Sequence, residues 1–192
     1  IYLIDSDYSN KKVINWMKSV NLVLKTQKNS IFKEYIFKHT LFWEGGGKLH
    51  KVSNDPGGWT IWGIAYNYNK ELFKDLVDFK DTSYREAAAI AFVKYYLSVQ
   101  ANRVPKKSRL MYFDMAYNLG PSRAIKIMQK CIKVIPDGII GVITLSQVKY
   151  LKEECLYTRR NTFYNYLVQK DIRFKKFIKG WLNRSKAIYN LD

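Results

Sequence analysis

Apolar residues recur at helical spacing along most of this chain, and the pattern breaks in one place. Val13, Trp16, Met17, Val20, Val23 and Leu24 mark an amphipathic helix over about 9–26. Polar residues 27–30 interrupt it, and Ser30 is suited to cap the next helix. Phe32, Tyr35, Ile36, His39, Leu41, Phe42 and Trp43 then form a strongly apolar stripe. It stops at Gly45-Gly46-Gly47, a run that a helix cannot absorb cheaply.

Residues 45–64 read as a hairpin. Gly, Asn, Asp and Pro supply the turns, and Leu49, Val52, Thr60 and Ile61 suit short strands. Helical spacing then resumes. A short element is expected over 68–79 and a long helix over 83–100. Further helices are expected over 110–119, 122–132, 144–151, 154–169 and 174–189, with a tight turn at Asp137-Gly138. No repeat, low-complexity stretch or interdomain linker interrupts the series. The pattern predicts a mainly α protein with a small β-hairpin lobe and a helical C-terminal half.

The 192 residues suffice for one domain with a small appendage, and an apolar fraction of 47% supports a core. Lys and Arg outnumber Asp and Glu 33 to 16, for a net charge of +17. Such a charge predicts an anionic partner and salt-sensitive association. The basic residues are scattered along the chain, and no nucleic-acid recognition motif accompanies them, so nucleic acid is not the expected partner.

No run of eighteen apolar residues suggests a membrane span. The chain begins at Ile1 and carries no recognisable signal peptide, as expected of a processed or excised segment or one whose start is missing. Cys131 and Cys155 lie 24 residues apart with no metal-ligand spacing. Two buried free thiols are the favoured reading, with a single disulfide left open. His39 and His50 are isolated, and no metal or organic cofactor is implied.

The candidate chemistry sits at the break in the pattern. Glu44 ends the apolar helix, and a second carboxylate, Asp55, follows in Asn54-Asp55-Pro56-Gly57-Gly58. Thr60 and Trp62-Gly63-Ile64 complete the segment. Glycosidic cleavage needs an acid to protonate the leaving oxygen and a group on the opposite face of the sugar to stabilise charge or orient water. Glu44 is the expected acid, part-buried beside Phe42 and Trp43. Asp55 is its expected partner, and Thr60 is placed to hold the water. Trp59 and Trp62 offer rings for sugar faces, with Asn54 and Asn118 as further substrate contacts. Each has a plainer rival: a turn for Asp55, a strand position for Thr60, core packing for the tryptophans. For Asp114 and Asn118, bonds to neighbouring backbone are the favoured reading. Glu71, Asp75 and Asp78 read as a solvated helix face.

These residues resemble glycoside hydrolase family 108, a group of lysozyme-like N-acetylmuramidases that includes phage endolysins. That family pairs a helix ending in Glu-Gly-Gly-Tyr with Asn-Asp-Pro-Gly-Gly, a Thr and Tyr-Gly-Ile. The likeness continues in Phe113-Asp114-Met115-Ala116-Tyr117-Asn118-Leu119-Gly120 and in Asp137-Gly138-Ile139-Ile140-Gly141 with Thr144-Leu145. Arg160, Tyr164, Phe174, Gly180, Trp181 and Arg184 fit the closing helices. It spans roughly residues 32–188.

The resemblance implies a lysozyme-like α+β fold that cleaves the β-1,4 bond between N-acetylmuramic acid and N-acetylglucosamine. It implies peptidoglycan as partner and action on the bacterial wall, from a phage or a bacterial envelope. The expected division is an N-terminal extension, 1–30, and a muramidase domain, 31–192, whose 131–192 part is peptidoglycan-binding-like. The N-terminal helix would pack across the helical lobe or dock on a phage or envelope protein. Three departures stand out. Gly47 replaces a Tyr, so a ring lining the hairpin is absent; the 47–53 loop is about two residues longer than expected; and Val142 replaces a Pro. The alternative class is a non-catalytic lysozyme-like module that binds glycan or serves as a virion part.

Overall fold

The computed structural model describes residues 38–51 and 56–191. The N-terminal helix expected over 9–26 lies outside them. The chain divides into two compact units, Ile1–Val93 and Lys94–Asp192.

In the first unit, α1 (Lys38–Phe42) buries Thr40 and Leu41 and runs into the glycine turn. Three short antiparallel strands follow in sequential order: β1 (His50–Lys51), β2 (Trp59–Ile61) and β3 (Ile64–Ala65). The register sets Thr60 opposite both His50 and Ala65. The third strand was not foreseen, because it is only two residues long. The element expected over 68–79 resolves into 3-10 turns at Tyr66–Tyr68 and Lys70–Leu72, followed by α2 (Leu76–Lys80). Asp75, read as part of a solvated face, caps α2 by accepting from the backbone N–H groups of Val77 and Asp78.

The helix expected over 83–100 is composite. Ser83 and Glu86 form a capping box that starts α3 (Tyr84–Ala91), whose last five residues are all buried. The chain then widens into a π-helical turn at Phe92–Leu97. Gln100, in the left-handed region at φ 49°, ends this stretch.

The second unit is helical. Pro105 precedes α4 (Lys106–Leu119), which starts four residues earlier than expected. Gly120 separates it from α5 (Pro121–Cys131), which opens on Pro121. Then come α6 (Val142–Gln147), α7 (Glu153–Lys170) and α8 (Lys175–Tyr189). The long helices α4, α5, α7 and α8 pack on one another around Met111, Met115, Met128, Leu156 and Tyr164. The turn at Asp137-Gly138 is present, with Gly138 at φ 87°.

Cys131 and Cys155 are joined in a disulfide with Cα atoms 5.8 Å apart, which corrects the reading as free thiols. The cross-link ties the end of α5 to the start of α7. Sequence separation gave no hint of it, because it depends on how the two helices fold back together.

Candidate active site

The turn after α1 fixes where Glu44 stands. Trp43 and Glu44 donate their backbone N–H groups to the carbonyls of Thr40 and Leu41, at 3.1 and 3.0 Å, tightening the helix end. Gly45, Gly46 and Gly47 follow at φ 77°, 62° and 83°, three consecutive left-handed residues that only glycine adopts at low cost. Beside Gly45 and Gly46 the space is open: an added Cβ would meet nothing within 4 Å.

The Glu44 carboxyl rests on the hairpin between β2 and β3. A Cβ at Gly63 would lie 2.5 Å from its Oε2 and 2.8 Å from its Cδ. Gly63 is therefore the seat of the carboxyl. Phe42, expected to help bury Glu44, is instead 77% exposed and turns its ring edge-on to Trp43.

That hairpin is a two-residue turn, Trp62-Gly63, between the paired Ile61 and Ile64. Both turn residues have positive φ, 55° and 77°, as the type I′ turn requires. A left-handed Trp is strained by roughly 1–2 kcal/mol. Its surroundings hold it. Its indole N–H donates to the Thr82 carbonyl at 2.7 Å. Its ring meets Tyr84 edge-on, with centroids 5.8 Å apart. A further neighbour is Gly47, where a Cβ would lie 2.6 Å from Cε2 and closer still to Cζ2 and Cη2. Gly47 is thus the space that admits the Trp62 ring.

Trp59 lies half-buried under two ammonium groups, Lys80 at 4.5 Å and Lys51 at 5.9 Å from the ring centroid. Thr60 is also half-buried and points to the opposite face of β2. Asn54 and Asp55 lie outside the described residues. The segment directly after them is held by Asn67, whose side-chain amide donates to the Pro56 carbonyl at 2.8 Å. Its backbone N–H donates to the Gly57 carbonyl at 3.0 Å. Gly58, at φ 72°, lets the Asn67 side chain close over the loop, since a Cβ there would lie 2.8 Å from Nδ2. Sequence reasoning missed Asn67 and Thr82, because neither belongs to a motif and each acts on a segment some ten to twenty residues upstream.

Asn118 belongs to the second unit, on α4. Its Oδ1 accepts from the Tyr164 hydroxyl at 2.7 Å, and that hydroxyl accepts from Arg160 Nε at 2.9 Å. Asp114, one turn earlier and fully buried, pairs with Arg160 at 2.6 Å and Arg184 at 2.7 Å. The Asn118 side chain is met by Tyr164 of α7, and the Asp114 carboxylate by Arg160 of α7 and Arg184 of α8. Burial pushes the Asp114 carboxyl up, and the two guanidinium groups more than reverse this, to about 2.

The glycosyl hydrolase 108 family model matches residues 37–120, and a model described as a predicted peptidoglycan domain matches 123–186. The first of these matches supports glycoside hydrolase family 108 for residues 37–120. The family 108 match contains Glu44, both glycine-rich turns, Asn67 and α4, and the second match contains the disulfide and the helices that bury Asp114. The two matches together support a peptidoglycan-related protein with a glycoside hydrolase domain. The solved structure of Brucella abortus SagA is similar, with a TM-score of 0.64 and 22% identity over 94% of this chain and 93% of that one. This likeness supports the lysozyme-like fold, mostly helical with a small three-stranded sheet. No curated protein matches the sequence. Among the described residues, no helix is long and apolar enough to cross a membrane.

Proposed function

We propose that this protein is a muramidase, hydrolysing the β-1,4 bond between N-acetylmuramic acid and N-acetylglucosamine with Glu44 as general acid. The observation that carries the reading is the seating of the Glu44 carboxyl on Gly63, with open space beside Gly45 and Gly46 next to it in the chain. A carboxyl held between a helix end and a hairpin has few orientations available, which a proton donor needs. The glycines allow a sugar to approach the backbone where a Cβ would intrude.

In this reading Glu44 protonates the leaving glycosidic oxygen. Asp55, directly before the segment clamped by Asn67, orients the attacking water or stabilises positive charge at the sugar carbon. Thr60, half-buried on the face of β2 opposite Trp59, holds that water by its hydroxyl. Trp59, Trp62, Asn54 and Asn118 remain the proposed substrate contacts, Trp62 with its ring already braced by Thr82 and Tyr84.

The test is release of reducing ends and clearing of a peptidoglycan suspension by the wild type and by Glu44→Gln. The variant should fold normally and lose at least about 100-fold in rate, since acid catalysis contributes 10²–10⁴-fold. A Glu44→Gln protein with a tenth or more of wild-type activity would remove Glu44 from the role. A wild type that binds walls and releases no reducing ends would favour the non-catalytic module.

A further inference from the structure

The net charge of the chain is concentrated in its second unit. Residues 94–192 carry 20 Lys and Arg against 6 Asp and Glu, which is +14 of the total +17. The basic residues are scattered; it is the acidic ones that are scarce here. The surplus is most ordered on α8, a fifteen-residue helix with no Asp or Glu. Its inner face sets Ile178, Trp181, Ser185 and Ile188 toward the unit, and Arg184 is drawn inward to Asp114. Its outer face carries Lys176, Lys179, Asn183 and Lys186, spaced three, four and three residues apart and all exposed, with Lys175 at the edge. Among the described residues, none of these four lysines is paired with a carboxylate.

The helix gains nothing locally from this stripe. Lys175 and Lys176 sit in the first turn, at the positive end of the helix dipole, where acids are favoured. Lys175 and Lys179 are four apart, and Lys176 and Lys179 three apart, so like charges face each other. An anion lying along the face would relieve both conflicts. Ten residues of helix from Lys176 to Lys186 span about 15 Å, which suits a linear partner. The stripe contains no Arg, whose planar fork reads carboxylate and phosphate alike in a fixed geometry; its Lys residues bind phosphate as point charges, a mode that fits a row of phosphates along a flexible polymer.

We propose that the outer face of α8 is a docking surface for a linear phosphodiester polymer of the bacterial wall, and that it holds the protein on its substrate. This is independent of the role given to Glu44, and binding can be read without catalysis.

The probes are isolated walls that carry phosphodiester polymers and the same walls after hydrofluoric acid has removed them. The stripe variant replaces Lys175, Lys176, Lys179 and Lys186 by Gln. The control variant replaces four exposed lysines of the same unit, Lys106, Lys107, Lys130 and Lys133, by Gln. In co-sedimentation at low salt, the stripe variant should bind untreated walls at least about tenfold more weakly than wild type, given the worth of each basic residue at an anionic surface. The control should stay within about threefold of wild type. On stripped walls the wild type should fall to the level of the stripe variant. Equal losses in the two variants would make the charge diffuse and overturn the proposal. Wild-type binding undiminished on stripped walls would overturn it as well, pointing to the peptidoglycan itself. Should the fourfold variant not fold, Lys179→Glu gives the same reading from one exposed position.

Discussion

Gly47 and Trp62 occupy one volume: the indole ring lies where a side chain at position 47 would begin. A larger residue at 47 must expel the ring, and the ring stands one residue from Gly63, the seat of Glu44. Gly47→Ala should therefore lower both thermal stability and activity. The left-handed backbone, φ 83°, adds a penalty of roughly 1–2 kcal/mol. In a double-mutant cycle with Trp62→Leu, the combined loss should be smaller than the sum of the single losses. Simple additivity in chemical denaturation would show that the two positions do not compete.

Gly63→Ala tests the seat of the carboxyl. The new methyl would overlap Glu44 Oε2, and a φ of 77° disfavours any side chain. The expected outcome is a folded protein with kcat reduced by about tenfold or more, because an acid displaced by an ångström transfers its proton poorly. Steady-state kinetics on soluble glycan fragments gives the answer, and an unchanged kcat would detach Glu44 from the hairpin.

Asn67 holds Pro56 and Gly57, the residues that directly follow Asn54 and Asp55 in sequence. Asn67→Ala removes the amide donor to Pro56 and should cost about 1 kcal/mol of stability. If the loop places Asp55, kcat should fall by about tenfold or more with KM little changed. In an Asp55→Ala background the same substitution should lower kcat no further. A further drop there would mean that Asn67 acts by some route other than Asp55.

The Asp114 network predicts acid sensitivity. Its carboxyl titrates at about 2 in the folded protein, against 3.8 ordinarily. The contribution is present in full above the unfolded value and is lost as pH falls through the folded one. The difference corresponds to about 2 kcal/mol, lost between about pH 4 and 2. Asp114→Asn leaves two buried guanidinium groups short of charge and should destabilise by roughly 3–5 kcal/mol at neutral pH, while flattening that acid limb. Urea titrations of both proteins across the range measure this.

Reduction of Cys131–Cys155 should destabilise the second unit. The bond closes a loop of 24 residues, for which chain entropy gives about 3 kcal/mol. Thermal unfolding with and without reductant, beside Cys131→Ser, reads the effect. An unchanged melting temperature would mean that α5 and α7 stay paired by packing alone.

Local rules made much of this molecule readable in its sequence. Three glycines had to end α1, since left-handed residues are cheap only without a Cβ. Asp137-Gly138 had to turn, and the 3.6-residue period marked α4, α5, α7 and α8 within a few residues. The ordered motifs also pointed to family 108. None of that depends on distant partners. Tertiary structure alone decided which distant groups meet. Trp62 fills the space left at Gly47, Asn67 closes over Gly58, and Asp114 meets Arg160 and Arg184 from 46 and 70 residues away. The disulfide and the π-helical turn after Ala91 belong to the same class. Such contacts depend on how helices and turns are brought together through space. A side chain's neighbours along the chain carry no record of the partner it will find there.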